Sequence, residues 1–302
     1  MSDAGIASRL TGIFLPVTTP FDPVTGDVAP VSFRENLRRW VDQPIDGIVL
    51  FGSTGEGALL DEEEKSRLTA FAREVVPAGL PLIAGASADS TRATIRQACA
   101  LARAGAEAVL VHPPPYFGPY LPASALADYF RAVADASPVP VLLYHIPKYT
   151  KVTLEAGLVA ELLRHPNVAG LKDSSGDLKR LAEYTDACPR GARLFVGNGG
   201  LLYTALELGA AGGILAVAVF APGKCADALE AFRAGETRKA GEIQETLTVL
   251  HREVVASYGA VGVKTALDLV GYTGGPPRAP LRSLGEKEQR QVARVMQEAG
   301  LV

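Results

Sequence analysis

The chain of 302 residues has little cysteine, one tryptophan and only 7% aromatic residues. Its three cysteines, Cys99, Cys188 and Cys225, are scattered and form no C-x-x-C pair. That excludes a disulfide scaffold and the usual spacings of zinc and dithiol redox sites, and leaves three reduced thiols as the expectation. Neither sign of charge dominates, since 30 Lys+Arg against 33 Asp+Glu give a formal net charge of -3. The basic excess that a nucleic acid or an anionic membrane would require is missing, so neither is an expected partner. No run approaches the roughly 20 uninterrupted apolar residues of a membrane helix. The opening MSDAGIASRLTG lacks a signal-peptide core and is not an Arg- and Ser-rich transit segment, so a cytoplasmic location is expected. What the chain does have is 48% hydrophobic and 21% charged residues, the balance of a folded globular protein rather than a disordered one.

The strongest pattern is an alternation of short apolar runs with longer helical segments. The runs lie at 13–17, 47–51, 81–85, 108–112, 139–144, 168–172, 193–197 and 212–217. Most are too short for helices, rich in Val, Ile and Leu, and free of polar alternation, which predicts strands buried on both faces. Between them, segments such as 61–76, 91–104, 122–136, 153–164, 177–187 and 200–208 repeat apolar residues every three or four positions. Asp61, Ser90 with Thr91, and Thr153 stand where N-caps belong. Eight strand–helix units in series predict a (β/α)8 TIM barrel. An open doubly wound sheet would need a Gly-rich first turn, but TTPFDP follows the first strand. After residue 225 the strand runs stop, and helical patterns follow at 226–257, 262–271 and 284–299, with a Gly/Pro break at 271–281. The expected organisation is a barrel over 1–225 and a C-terminal helical region over 226–302.

Barrels of this kind place their chemistry at the C-terminal ends of the strands. Those ends hold Gly52-Ser53-Thr54-Gly55-Glu56, His112 to Tyr116, Tyr144-His145-Ile146-Pro147, Lys172-Asp173-Ser174-Ser175 and Gly197 to Gly200. Lys172 directly follows an apolar run, and burial there disfavours the ammonium form and frees an amine able to form a Schiff base with a ketone. The plainer alternative is a solvated lysine or an ion pair with Asp173 or Asp177. Tyr144 ends the neighbouring run, where a phenol can shuttle protons or simply pack. Ser53 and Thr54 lie between two glycines, in a turn whose amides could converge on an anion or merely turn the chain. His112, His145, Glu56 and Asp173 could together hold a metal, although their spacing matches no metal motif. Gly197 to Gly200 could cradle a phosphate or make a tight turn.

Taken together, PVTTPF at 16–21, GSTGE at 52–56, YHIP at 144–147 and GLKDSSGD at 170–177 resemble the dihydrodipicolinate synthase / N-acetylneuraminate lyase family of class I aldolases, in its order and at its spacing. The resemblance spans essentially the whole chain. It implies a metal-free, cofactor-free lyase in which Lys172 carries the imine to a keto acid and Tyr144 donates and accepts the proton. Ser53 would link Tyr144 into a hydroxyl relay, and Thr54 with its turn amides would hold the substrate carboxylate. The relay's further tyrosine, contributed across a subunit contact, falls on Tyr116, or on Phe117 in a register one residue later. The backbone carbonyl of Leu215 would face bound pyruvate. A homotetramer is the family expectation.

Synthases of the family carry an arginine two residues after the proline of the strand-five motif, and here that residue is Tyr149. Lys148 or Lys151 could substitute only as a point charge, without arginine's fork. DSTRATI at 89–95, HPNVAGLKDSSGD at 165–177 and GYTGGPPRAPL at 271–281 are closer to the 4-hydroxy-2-oxoglutarate aldolase branch. That branch adds Ser174 and Gly197 as substrate contacts. The expected activity is therefore cleavage of 4-hydroxy-2-oxoglutarate or a similar 2-keto-4-hydroxy acid. The alternatives are condensation of pyruvate with aspartate semialdehyde, a silent keto-acid-binding barrel and a metal-dependent aldolase.

Overall fold

Eight parallel strands, each hydrogen-bonded to the next in chain order, close into a barrel in the computed structural model, which describes residues 6–189 and 192–302. They are β1 (Gly12–Pro16), β2 (Gly47–Leu50), β3 (Leu82–Gly85), β4 (Ala108–Val111), β5 (Val141–His145), β6 (Val168–Asp173), β7 (Arg193–Val196) and β8 (Gly212–Ile214). Each lies on or within a residue or two of the apolar run that predicts it. The TIM barrel expected from the sequence is the observed fold. β1 closes on β8 through Gly12↔Gly212 and Phe14↔Ile214. A Cβ on Gly212 would stand 1.9 Å from the Gly12 carbonyl oxygen, so only glycine permits the strands to meet there.

Alternation along each strand sorts the side chains into two cores. Phe14, Val49, Ile83, Leu110, Leu142, Tyr144, Phe195 and Ile214 fill the barrel interior, where Phe14 and Phe195 meet edge to face at 5.3 Å. Their neighbours, among them Leu15, Leu50, Leu143, Leu171 and Val196, point outward into a larger core beneath the helices. The barrel helices are α1 (Pro30–Val41), α2 (Glu62–Val75), α3 (Thr91–Arg103), α4 (Ala123–Ala136), the single turn α5 (Pro147–Thr150), α6 (Ala156–Leu162), α7 (Leu178–Ala187), α8 (Leu202–Glu207) and α9 (Pro222–Arg233). Asp61 starts α2 with a capping box to Glu64, and Ser90 caps α3 through the Ala93 amide, as the sequence predicts. Thr153 does not cap α6; the N-cap is Glu155, two residues on, and the helix starts at Ala156.

The C-terminal helices are α10 (Thr237–Leu250), α11 (Ser257–Leu269) and α12 (Glu286–Glu298). The single pattern read over 226–257 breaks at Gly235, whose φ of 72° ends α9 in the left-handed conformation that glycine adopts freely. The patterns read at 226–257 and 262–271 are joined, since the chain stays helical between them. α10 runs through π-helical turns at His251–Ala256 into α11, which kinks at Gly259 (φ 59°, ψ −140°). The 225/226 boundary falls inside α9, the helix that follows β8. Leu247, Leu250, Val254, Val263, Leu267, Val292 and Met296 share one core with the outer barrel face. The Gly/Pro segment after α11 is tied to α1: Asn36 exchanges hydrogen bonds of 2.8 and 3.0 Å with the Thr273 backbone, and Trp40 stacks on Tyr272.

Candidate active site

Tyr144 and Lys172 are direct partners in the β5–β6 ladder, both inward-facing and both near the C-terminal end of the barrel. Lys172 is 4% exposed, and its Nζ lies 4.3 Å from the centre of the Tyr144 ring. No carboxylate or hydrogen-bond acceptor is paired with that amine among the described residues, so the alternative ion pair with Asp173 or Asp177 is not formed. Asp173 faces the other way, to His145 at 2.8 Å, and Asp177 caps α7. The Tyr144 hydroxyl in turn lies 3.3 Å from Ser53 Oγ. Lysine, phenol and hydroxyl thus stand in contact across three strand ends.

The turn after β2 is shaped by two non-glycine residues with positive φ, Phe51 at 56° and Glu56 at 54°. Such conformations are costly and persist where surroundings enforce them. Here the enforcement is visible: the Phe51 backbone is hemmed in by Gly57 and Gly85, where a Cβ would come within 2.0 and 2.4 Å of its carbonyl oxygen. Within the turn, the amides of Gly55 and Gly57 donate to Gly52 O, and that of Glu56 donates to Ser53 O. The amides of Ser53 and Thr54 have no such partner among the described residues, which leaves two adjacent donors beside the buried Thr54 side chain. Paired free amides of this kind suit a carboxylate. Thr19 of the PVTTPF motif steadies the turn from β1 by donating to Gly55 O at 2.8 Å.

Gly197 and Ser174 meet closely, since a Cβ on Gly197 would lie 1.9 Å from Ser174 Oγ; the glycine makes room for that hydroxyl. The Gly197 amide donates to Asp173 O at 2.6 Å, and the Ser174 amide to His145 O at 2.8 Å. Leu215 turns its side chain into the outer core, and its carbonyl oxygen accepts from the Ala218 amide at 3.0 Å. The phosphate cradle considered for Gly197 to Gly200 is not available. The Gly199 amide donates to His251 Nδ1 at 3.3 Å, and the Gly200 amide to Asn198 Oδ1 at 2.9 Å. His251 can accept because burial, reinforced by Lys148, pushes its pKa down to about 4.

The structure separates the other candidates. Tyr116 is 76% exposed, packed edge to face with the exposed Phe117, and makes no contact with Tyr144 or Ser53 within the chain. The four residues weighed as metal ligands do not gather in one site: Glu56 pairs with Lys264 at 2.6 Å, His145 and Asp173 pair only with each other among the four, and His112 Nδ1 donates to Pro113 O at 2.7 Å. Among the described residues no group of three or more His, Cys, Asp or Glu is placed to hold a metal. Lys148 and Lys151 are spent on backbone, donating to Ala256 O at 3.3 Å and Lys148 O at 2.9 Å. Tyr149 remains at the mouth, half-exposed. Its phenol is held above the ordinary value by burial and by the nearby Tyr144, and its hydroxyl lies 3.7 Å from where a Cβ of Gly259 would be.

Sequence reasoning passed over the buried supports behind these groups. Lys264 Nζ lies 2.6 Å from Glu56 Oε1, with both side chains 1% exposed. Arg278 donates its backbone amide to Glu56 Oε2 at 2.9 Å and its guanidinium to both Glu64 oxygens at 2.6 Å. Lys264 and Arg278 also both lie over the Phe21 ring, at 4.4 and 4.5 Å from its centre. Arg278 lies within the GYTGGPPRAPL segment and Glu56 within GSTGE, two motifs far apart in the sequence whose contact only the fold reveals.

A closed (β/α)8 barrel with its reactive groups gathered at the C-terminal strand ends defines a TIM-barrel enzyme. The chain belongs to the dihydrodipicolinate synthetase family, whose model matches residues 9–299, and it is a class I lyase of that type. It is 32% identical over 287 residues to a 4-hydroxy-tetrahydrodipicolinate synthase of Methanoculleus marisnigri, covering 94% of this chain and 98% of that one. A DapA-like lyase of Halobacterium salinarum is 33% identical over 293 residues, covering 97% and 95% of the two chains. Among solved structures, a dihydrodipicolinate synthase of Bacillus anthracis superimposes with a TM-score of 0.91 at 28% identity, over 95% of this chain and 98% of that one. A prophage protein of the same family from E. coli K12, solved in complex with pyruvate, gives 0.91 at 27% identity over 97% and 99%. No helix among the described residues is long and apolar enough to cross a membrane.

Proposed function

We propose that this lyase breaks or makes a carbon–carbon bond beside a lysine-bound pyruvate, and that its substrate is 4-hydroxy-2-oxoglutarate or a similar 2-keto-4-hydroxy acid. The observation that carries the reading is the Lys172 amine, buried without a counter-charge and in contact with Tyr144, whose hydroxyl meets Ser53. Lys172 Nζ adds to the C2 ketone, and Tyr144 supplies the proton with which the carbinolamine loses water. In the resulting imine, Tyr144 takes the proton of the C4 hydroxyl. The C3–C4 bond then breaks, its electron pair enters the imine as an enamine, and the aldehyde leaves. Reprotonation at C3 and hydrolysis release pyruvate and restore the amine. Thr54 and the free amides of Ser53 and Thr54 hold the C1 carboxylate, with Ser174, Gly197 and the Leu215 carbonyl lining the rest. Tyr116, exposed on its own chain, joins the relay of a second copy in a homo-oligomer, a tetramer by family expectation.

A second reading, 4-hydroxy-tetrahydrodipicolinate synthase, has a specific point in its favour: relatives such as that of Methanoculleus marisnigri carry that name. Against it stands Tyr149, which offers one neutral hydrogen bond where an aldehyde carboxylate calls for a fork, and neither Lys148 nor Lys151 is free to replace one. A panel of keto acids and aldehydes, read by pyruvate release and consumption, separates the two readings. Borohydride with pyruvate should leave an adduct on Lys172. Pyruvate release from 4-hydroxy-2-oxoglutarate faster than condensation with aspartate semialdehyde is expected; the reverse order gives the second reading, and an adduct on another lysine defeats both.

A further inference from the structure

One step beyond the Tyr144–Lys172 pair, His145 and Asp173 are the next partners in the β5–β6 ladder, and they point outward, away from the mouth. Both are buried, at 1% and 3% exposure. His145 Nδ1 lies 2.8 Å from Asp173 Oδ1 and 3.0 Å from the Tyr184 hydroxyl on α7. That hydroxyl already donates to Leu154 O at 2.6 Å, so its oxygen is left to accept. Asp173 receives in addition the Ser175 amide at 3.1 Å and Ser175 Oγ at 2.9 Å. Nε2 is buried with no partner among the described residues, and a proton there would meet no acceptor. The hydrogen-bond network therefore assigns the neutral Nδ1–H tautomer, its proton shared between Asp173 and Tyr184.

This ladder needs such a fastening. Val141 pairs with Val168, but Leu142 pairs with Gly170, so the register slips by one residue at the start of β5. A slip of one residue exchanges the faces on which all later side chains lie, and would send Lys172 outward and Asp173 into the mouth. We propose that His145 is a positioning residue: by bonding Asp173 across the ladder and Tyr184 on the helix layer, it fixes β5 against β6 beyond the slip, and so sets the approach of the Lys172 amine to the Tyr144 phenol. The inference rests on the reading of Lys172 and Tyr144 as the reacting pair. A displacement of about 1 Å in such a pair costs on the order of 100-fold in rate.

The test combines His145→Leu, His145→Asn and Tyr184→Phe with pyruvate release and borohydride trapping. His145→Leu should lower kcat roughly 10- to 100-fold while KM moves less than about threefold. Trapping should slow to match, yet still reach one adduct per chain, which shows that every site is folded. His145→Asn, whose amide nitrogen can stand where Nδ1 does and donate to Asp173, should recover most of the loss. Should His145→Leu fail to fold, Tyr184→Phe carries the test: it leaves the His145–Asp173 bond and should lower kcat roughly three- to tenfold at unchanged KM. Imidazole ¹⁵N shifts of the wild type should show Nδ1 protonated and Nε2 bare. Normal kcat and trapping in the folded variant, a loss that merely follows the fraction of trappable sites, or an Nε2–H tautomer would each overturn the assignment. Wild-type enzyme that traps no pyruvate on Lys172 would instead remove the reacting pair itself, a failure distinguishable from the others because it precedes any variant.

Discussion

Two buried lysines in this barrel lie over aromatic rings at nearly the same distance and are put to opposite uses. Lys172 Nζ is 4.3 Å from the Tyr144 ring and has no carboxylate beside it; Lys264 Nζ is 4.4 Å from the Phe21 ring and has Glu56 at 2.6 Å. Lys264 also donates to Pro276 O at 2.8 Å. Burial lowers the pKa of Lys264 and Glu56 opposes the shift, so the second region supplies its amine with a counter-charge. The barrel mouth supplies none. An amine with no fixed partner is free to bond a substrate carbon, whereas one locked to a carboxylate and a carbonyl can only hold elements together. What Lys264 holds is the turn after β2, through Glu56, against α11 and the segment that follows it.

Removing each lysine should affect a different property, activity for Lys172 and stability for Lys264, and the larger effect belongs to the mouth. Lys172→Met should abolish pyruvate trapping and lower turnover by roughly 10³–10⁶, the range for loss of a covalent route. Its urea midpoint should stay level or rise, because an unpartnered polar group leaves the interior. A large loss of stability would show that the amine is structural. Lys264→Met should do the opposite, costing about 3–5 kcal/mol of stability by stranding the Glu56 carboxylate in the interior. Pairing it with Glu56→Gln should return most of that loss. If the single variant matches wild type in urea titration, the ion pair is idle.

How much of this could be read from the sequence follows the same division. The strands were legible because parallel barrel strands are buried on both faces and read as continuous apolar runs, from Ile13 to Val217. Lys172, Tyr144, Ser53 and Thr54 were legible because strand ends are where barrels expose chemistry, and the resemblance reinforced them. The supports were not. Glu56 and Lys264 are 208 residues apart (264 minus 56), and no local spacing marks such a pair. His145 and Asp173 each follow a reactive residue, but whether they face the mouth or the helices depends on the register slip in β5–β6. The patterns at 226–257 and 262–271 read as separate, but π-helical turns and a single kinked glycine carry the helix from one to the other.

A cation added at the mouth sharpens the contrast from the other side. Tyr149→Arg supplies the fork that the wild-type site lacks, worth about 1–3 kcal/mol of binding to an aldehyde carboxylate, or roughly 5- to 150-fold. The ratio of aspartate-semialdehyde condensation to 2-keto-4-hydroxy acid cleavage, measured under competition, should rise by that order. An unchanged ratio would mean that the second carboxylate is recognised elsewhere.

The smallest effect expected lies at the edge of the Lys264 region, where Arg278 grips Glu64. That hydrogen bond, more than any other influence, holds the Glu64 carboxyl below its ordinary value of 4.5, with burial acting against it. A carboxylate depressed in the folded state stabilises the fold fully above its unfolded pKa, and loses that contribution as pH falls through the folded value. Arg278→Met removes the partner while keeping an apolar stem against Phe21. In urea titrations the gap between wild type and variant should therefore be constant from pH 7 to about 5, then narrow by about 1 kcal/mol below pH 4.5. A gap that stays constant into acid would assign the grip of Arg278 to its bonds with the carbonyls of Leu59 and Gly26, neither of which can titrate.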